Sequence, residues 1–429
     1  MVDGIEPAAV LFGIRGFRVL ASVEVEGEVW MLVETTTDVV GCPECGVRAV
    51  SKGRRETEVR DLAVGGRPVR LRWRKRRWRC PEPACPNGSW TETHAGIRPR
   101  AVLTERARRW AFGQVGEKGR TVAEVARELG VGWHTVMDAV VEFGTPLVAE
   151  LSLEGVSALG MDEHRWRHRP EGWAVGFCDL DGRLVEVIPG RSGAGISAYL
   201  RSQPRHIRQR VEWASIDPWQ GYLTPIRRLL PIAQVVVDHF HLIRLANQVV
   251  TEVRQRTQQE VTGHRGRKGD PLFGIRRLLL RGRQRLEGRH WQRLEAAFDH
   301  PQGDLYDEVA SAWTAKELVR DVYAAPTMIQ ARSRLETFYA WADDVDVPEV
   351  DRLARTVRRW EQEVLAYHHS RLSNARTEAA NLIVEKLRRT GHGFRNFRNY
   401  RLRLLLNHGV KWQTQPTTKI RGRRPPKIA

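Results

Sequence analysis

The sequence predicts a multidomain α/β protein whose mixed-sheet core carries a large α-helical insertion and follows two small N-terminal domains. Three observations predict this class: two close pairs of cysteines, a capped pair of helices further along the chain, and then a run of Val-rich strands. With 429 residues, the chain has room for several domains and a sizeable core. We expect domain boundaries at 1–98, 99–150, 151–241 together with 371–410, 242–370, and 411–429.

The first domain contains four of the five cysteines, in the pairs Cys42 with Cys45 and Cys80 with Cys85. Two such pairs separated by strand-forming sequence can close a tetrahedral site of four thiolates, and zinc held in this way is structural because no ligand position remains open. Disulfides are the alternative. We find no N-terminal leader pattern and no apolar run that could cross a membrane, so we expect a cytoplasmic, reducing compartment and free thiols. Cys178, within an apolar strand, is expected to be a small buried side chain.

The same domain carries the densest positive charge of a chain whose formal charge is +19 and whose pI is about 10.4. A chain this basic is attracted to polyanions such as DNA, although charge says little about sequence choice. The run RLRWRKRRWRC predicts an exposed strand with Trp73 and Trp78 facing the domain and the basic side chains reaching phosphates. A purely structural basic hairpin is the alternative. The expected DNA contacts are Arg70, Arg72, Arg74, Lys75, Arg76, Arg77 and Arg79.

The second domain has the pattern of a helix-turn-helix. Thr121 and Glu124 form a capping box, an apolar stripe follows, and GVG (130–132) supplies the turn before a second helix. The stripe consists of Val122, Val125, Ala126 and Leu129. If this unit reads DNA, the start of its second helix enters the major groove with Trp133, His134 and Thr135. Many helix pairs that do not bind DNA share this pattern. The basic charge and the cysteine pairs of the preceding domain strengthen the interpretation as a DNA-binding helix-turn-helix.

The core is predicted from short apolar segments that alternate with helical ones. The predicted strands are 155–162, 173–180, 183–190, VEWASID (211–217) and AQVVVD (233–238), and the predicted helices are 196–206 and 219–230. The first three strands have short connections, whereas the later strand-helix-strand order implies parallel pairing. Asp162 and Asp217 therefore end the first and fourth strands, and Glu378 arrives on a later helix. Ends of neighbouring strands are where an open α/β sheet builds a site.

Three carboxylates brought together in this way suit phosphodiester chemistry. Two hard cations about 3.5 to 4 Å apart can activate an attacking oxygen and stabilise a leaving oxygen, and carboxylate oxygens are natural ligands for magnesium. We expect that manganese can replace magnesium at this site. A lone aspartate is usually a solvated residue at a strand end, so the joint placement of the acids carries the hypothesis.

The motifs that hold these acids resemble the DDE transposases of the ISL3 insertion-sequence family. The matching segments are GMDEH, SIDPWQGY, LLPIAQVVVDHFHLIRLAN and LSNARTEAANLIVEKLRRTGHGFRNFRNYRLRLLL, in family order across most of residues 155–407. The resemblance implies a ribonuclease-H-like core, a catalytic triad of Asp162, Asp217 and Glu378, and a zinc-ribbon head. Asp238, which forms an Asp-x-x-His pair with His241, is the alternative second acid or a support for the site. Glu385 is a weaker rival of Glu378.

Between the fifth strand and the Glu378 helix, residues 242–370 have helical spacing that is broken by a basic loop at 263–271. We interpret them as an inserted α-helical subdomain that holds DNA ends or a second protomer, or that simply covers the sheet. The tail Arg421 to Ala429 is basic, contains proline and is expected to be disordered.

Together these patterns predict a bacterial, nucleoid-associated transposase that binds terminal inverted repeats and target DNA, cuts and joins DNA, and acts as a homodimer. The competing hypothesis is a domesticated DNA-binding regulator without catalysis, which would not need the three acids. A nuclease for branched DNA would share the metal site but would have less use for a sequence-reading head.

Overall fold

The computed structural model describes residues 13–299, 303–372 and 375–412. They form two compact units, an N-terminal unit of residues 13–151 with 386–412 and a core unit that spans Ser152–Glu385. The segment 371–410, which the sequence assigned to the core, divides between the units at Lys386. The predicted tail lies outside the described residues. Within the described part of the chain, no helix is long and apolar enough to span a membrane.

The N-terminal unit begins with a five-stranded sheet. Its strands are β1 (Phe17–Val25), β2 (Glu28–Thr35), β3 (Val50–Val64), β4 (Arg67–Arg79) and β5 (Ser89–Thr91). The order is β1-β2-β4-β3 with β5 beside β4, and every pair is antiparallel except β2 with β4. Alternating apolar residues of β2, β3 and β4 form a small core around the fully buried Trp73. The basic run therefore lies on a central strand.

The helix-turn-helix is confirmed, with helices α1 (Glu105–Gly116), α2 (Val122–Leu129) and α3 (Trp133–Ala149). The capping box is present, since Thr121 accepts from the Glu124 amide and Glu124 accepts in return. Gly130 ends α2 at a φ of 65°, a left-handed conformation that glycine adopts without strain. All four residues of the predicted apolar stripe are buried.

The C-terminal helix of the described chain, α15 (Phe397–His408), packs against α3 and α1. The helices approach closely at Gly144, where an added Cβ would lie 2.7 Å from Cδ1 of Leu406. Asn407 donates to the carbonyls of Gly116 and Glu117 at the end of α1. Helix α15 thus completes a helical head that consists of α1, α2, α3 and α15, although the contacting residues are more than 250 positions apart in the sequence.

The core unit contains a second five-stranded sheet. Its strands are β6 (Ala158–Arg165), β7 (Trp173–Cys178), β8 (Leu184–Pro189), β9 (Trp213–Ile216) and β10 (Gln234–Val237). The order is β10-β9-β6-β7-β8, with β6, β7 and β8 antiparallel and β9 and β10 parallel to β6, as the connections predicted. The crossover helices are α4 (Gly193–Ser202) with the short α5 (Arg205–Arg208), and α6 (Gln220–Leu229). Cys178 is buried, as expected.

The insertion is helical, as predicted, and its helices form one hydrophobic core with the sheet. They are α7 (His239–Thr262), α8 (Pro271–Leu279), α9 (Gly288–Phe298), α10 (Gly303–Ala324), α11 (Met328–Asp344), α12 (Pro348–Arg359) and α13 (Glu361–Ser370). Helix α13 packs against the edge strand β10, and α14 (Ala375–Thr390) follows. The basic loop at 263–271 breaks the run between α7 and α8.

Candidate functional site

Three aspartates lie in register across the parallel strands of the core sheet. The ladder pairs Met161 of β6 with Ile216 of β9, and Ile216 with Val237 of β10. The next residue of each strand is an acid: Asp162, Asp217 and Asp238.

Asp162 was expected to end its strand and does not, because β6 continues to Arg165 in antiparallel pairing with β7. The acid instead marks the point where β9 stops pairing with β6. Asp162 still lies beside Asp217 at this edge of the sheet, because it directly follows the last residue of β6 that pairs with β9.

Two helices bring further side chains to this row. His241, on the first turn of α7, places Nε2 2.9 Å from Oδ1 of Asp217 and 4.0 Å from Oε1 of Glu378 on α14. Asn381, one turn after Glu378, donates from Nδ2 to Oδ2 of Asp162 at 2.5 Å. A spacing of three residues puts Glu378 and Asn381 on one helical face, and this signal was overlooked in the sequence.

The acids are crowded enough to disturb their titration. Burial, and after it the neighbouring Asp217 carboxylate, raise the pKa of Asp162 to about 7. The pKa of Glu378 is also raised, by burial and then by Asp238. Burial lowers the pKa of His241, but the Asp217 carboxylate outweighs it and the pKa is raised. Burial and mutual repulsion make the ionised form of these carboxylates unfavourable. A bound cation would stabilise that form.

The donor set fits a hard divalent cation. Ligand atoms of Asp238, His241 and Glu378 all lie within 4.8 Å of one another. Oδ1 of Asp217 is buried and has no hydrogen-bond partner among the described residues, although Nε2 of His241 lies 2.9 Å from it. A buried oxygen without a donor is costly unless an ion or water satisfies it. Asp238 belongs to this cluster, whereas Asp217 lies beside His241 but outside the cluster.

A cleft of about 450 Å³ opens beside these residues. Its walls include Asp217, His241, Trp219 and two arginines, Arg191 and Arg244. Arg244 lies 3.1 Å from Nδ1 of His241. Guanidinium groups beside carboxylates suit a substrate that carries phosphates. Neither arginine was predicted from the sequence to be a site residue.

The four cysteines meet as predicted. Sγ of Cys42 lies 3.7 Å from that of Cys85, and Sγ of Cys45 lies 3.5 Å from that of Cys80. These separations are far beyond a disulfide bond of about 2.05 Å. They are close to the edge of about 3.8 Å expected for a tetrahedron with Zn–S bonds of about 2.3 Å. A hydrogen bond from the Cys45 amide lowers the pKa of Cys42 to about 7, which favours the thiolate form.

The basic strand β4 differs from the expectation at Arg76. Trp73 and Trp78 face the domain, and Arg74, Arg77 and Arg79 are exposed. Arg76 was expected to reach a phosphate and is buried, because it fills the space beyond the end of β2. Its guanidinium donates to Asp38 at 2.6 Å and to the carbonyls of Thr35 and Thr37.

The other cations of β4 have partners within the sheet. Arg70 and Arg72 lie over the Trp30 ring at 4.6 and 5.0 Å and pair with Glu58 at 3.0 and 3.3 Å. The Lys75 ammonium lies 4.2 Å from the Trp73 ring centre. The free positive charge of the strand is thus concentrated at its C-terminal end.

At the start of α3, Trp133 and His134 are exposed and Thr135 is half-buried. The Trp133 side chain is 42% exposed, which is unusual for so large an apolar ring and leaves it available to a partner.

Three family models match successive parts of the chain. A family model described as a transposase matches residues 159–404, more than half of the chain. A model for the zinc finger of transposases IS204, IS1001, IS1096 and IS1165 matches residues 38–85, and one for the helix-turn-helix domain of transposase family ISL3 matches residues 92–144. The chain is 26% identical over 374 residues to the transposase for insertion sequence element IS1001 of Bordetella parapertussis, covering 85% of this chain and 87% of that relative.

Proposed function

The chain belongs to the ISL3 family of transposases, and we propose that it nicks the ends of a bacterial insertion sequence and transfers the resulting 3′ hydroxyls to target DNA. The observation that supports this proposal is the convergence of Asp162, Asp217 and Glu378 on one edge of the core sheet, beside a cleft with two arginines. A regulator that only binds DNA would not need this set of carboxylates.

In the proposed site, Asp162, Asp217 and Glu378 would hold magnesium or manganese. When bound, such a cation would supply positive charge beside the attacking and leaving oxygens of the phosphodiester. Asp238 and His241 support this set. Asp238 caps α7 by accepting from the Phe240 amide, and His241 lies between Asp217 and Glu378. The alternative assignment exchanges Asp217 for Asp238 as the second ligand.

The remaining side chains have separate tasks. The Asn381 amide holds one oxygen of Asp162 and leaves the carboxylate in a fixed orientation. Arg191 and Arg244 border the cleft and bind phosphates on either side of the scissile bond. Trp219, also on the cleft, contacts a base or sugar of the bound strand.

The N-terminal domains provide binding to terminal inverted repeats. Zinc held by Cys42, Cys45, Cys80 and Cys85 keeps the ends of β4 and its neighbours together, and Arg74, Arg77 and Arg79 contact phosphates. Trp133, His134 and Thr135 approach base edges from α3. Transposition joins two ends of one element, so we propose a homodimer on DNA in the bacterial nucleoid; sedimentation of a monomer with end DNA bound would contradict the dimer.

Cleavage and strand transfer of labelled element-end DNA in magnesium test the catalytic assignment. We expect Asp162→Asn, Asp217→Asn and Glu378→Gln to abolish cutting while DNA binding is retained. Glu385→Gln is the matched control on the same helix and should cut normally. Normal cutting by Asp217→Asn together with an inactive Asp238→Asn would move the second ligand to Asp238. Binding of end DNA without any cutting by the wild-type chain would favour the regulator.

A further inference from the structure

A cavity of about 580 Å³ lies within the N-terminal unit, between the helix-turn-helix and the loop that precedes α15. Thr121, Trp133 and His134 line it from the helix-turn-helix. The loop GHGFRN (391–396) and two residues of α15, Asn399 and Arg403, line the other side. The loop belongs to the stretch matched by the transposase core model, yet it packs in the helical head.

The cavity has the electrostatics of an anion site. The first residues of α2, α3 and α15 or their caps, Thr121, Trp133 and Asn396, all line it, so the positive ends of three helix dipoles converge. Gly132, the cap of α3, provides no side chain to occupy the free amides of that helix. Among the residues that the structure describes, no carboxylate lines the cavity.

A buried arginine faces the same space. Arg403 is only 5% exposed, and its Nε has no hydrogen-bond partner among the described residues. Its guanidinium donates to the Arg120 carbonyl at 3.1 Å and lies 5.4 Å from the Phe394 ring, but no described carboxylate pairs with it. Burial lowers the pKa of Arg403 to about 10 because nothing compensates the charge. A buried, uncompensated cation in a cavity calls for an anionic ligand.

The cavity also offers surfaces for a base. Trp133 and Phe394 provide aromatic faces, and the amides of Asn396 and Asn399 can pair with donors and acceptors on a base edge. The volume and concave shape suit a compact group better than the broad surface of an intact duplex. The cavity therefore offers both a site for a phosphate and surfaces for a base.

We propose that this cavity binds one unstacked nucleotide of the element-end DNA, with its phosphate at Arg403 and the helix N-termini and its base beside Trp133. This inference rests on the proposed function, because the DNA is the end that the transposase recognises. The GHGFRN loop then belongs to DNA recognition and acts together with α3. Extrusion of a base loses its pairing and stacking in the duplex, and the contacts in the cavity offset this loss.

Arg395 and Arg398 provide a matched pair of variants, since both are exposed but only Arg395 lines the cavity. We expect Arg395→Ala to weaken binding of end DNA by about fivefold or more, and Arg398→Ala to change it by less than about twofold, measured by fluorescence anisotropy. Trp133→Ala should also lose about fivefold or more if a base stacks there. Equal losses in the two arginine variants would overturn the inference, because they would indicate general charge attraction.

The full-length chain is then tested with end duplexes that carry 2-aminopurine at successive positions. At one position, we expect the 2-aminopurine fluorescence to increase on binding to the Trp133→Ala variant and to be quenched by the Trp133 ring on binding to the wild type. A mismatch at that position should strengthen binding. No responsive position would overturn the inference while leaving the transposase proposal intact. If the wild-type chain fails to bind end DNA at all, both fail. Binding of a fluorescent nucleoside triphosphate that Arg395→Ala removes and end DNA does not displace would overturn the assignment to DNA.

Discussion

Replacement of Glu34 by glutamine should destabilise the N-terminal sheet in a pH-dependent way. The Glu34 side chain is 3% exposed and accepts from Arg18 at 2.9 Å and from Arg54 at 2.5 Å, and Arg76 lies 3.7 Å away. Burial raises the pKa of Glu34, but the hydrogen bonds from Arg18 and Arg54 outweigh burial and lower the pKa from 4.5 to about 2. The ionised carboxylate is therefore strongly preferred in the folded sheet.

The pKa shift sets the size and the sign of the effect. A lowering by about 2.5 units at about 1.36 kcal/mol per unit corresponds to about 3 kcal/mol of stability. Because the folded-state pKa is lowered, this stability is fully present above pH 4.5 and is lost as the pH falls through about 2. Glu34→Gln should thus lower the free energy of unfolding by about 2 to 3 kcal/mol near neutral pH, and its deficit should shrink to about 1 kcal/mol near pH 3.

Urea denaturation, followed by hydrogen exchange of peptides from β2 and β4, measures the stability of this sheet. Glu24→Gln is the control, because Glu24 pairs with Arg67 at an exposed position where an ion pair contributes little. The reasoning is refuted if Glu34→Gln behaves like Glu24→Gln, or if its deficit is the same at both pH values.

Two further changes test the packing and the cysteine cluster. Gly144→Ala should lower the free energy of unfolding by about 1 to 3 kcal/mol relative to Gly113→Ala, because its Cβ would lie 2.7 Å from Leu406 whereas nothing lies within 4 Å at Gly113. Urea denaturation checks this, and equal stabilities would contradict the close approach of α3 and α15. Cys80→Ser should reduce bound zinc from near-stoichiometric to near zero in metal analysis, whereas Cys178→Ser should retain it, since Cys178 lies in β7 of the core unit. Retention of full zinc by Cys80→Ser would exclude the four-thiolate site.

Local patterns predicted much of this fold because the forces that produce them are local. The capping box of α2, its apolar stripe and the glycine after it act within one or two helical turns, so the sequence contains them in full. The relative directions of β6 to β10 followed from the lengths of their connections, since short links favour antiparallel neighbours and helical crossovers favour parallel ones, but the connections did not predict that β9 lies beside β6. Each close pair of cysteines is likewise a local pattern, whereas the meeting of the two pairs is a contact between positions 35 and 43 residues apart.

Side-chain surroundings were less accessible to prediction because they depend on which elements meet. Alternation along β4 implied that its arginines face solvent. The neighbouring strand β2, however, ends before it reaches the level of Arg76. The Arg76 guanidinium fills the space there, where it meets backbone carbonyls and the Asp38 carboxylate. Similarly, the spacing of Asn381 from Glu378 places its side chain on the face of the helix that carries the acid, but only the tertiary structure shows that its amide reaches Asp162.

By itself, the sequence determined the types of elements, which core strands are parallel or antiparallel, the helix-turn-helix, and which cysteines and acids are candidate metal ligands. Only the tertiary structure decided that α15 completes the helical head, that Arg403 is buried there without a carboxylate, and that His241 lies between Asp217 and Glu378. The physical reason is that periodicity and caps depend on neighbours in the chain, whereas burial, charge pairing and cavity shape depend on contacts between segments that lie hundreds of residues apart.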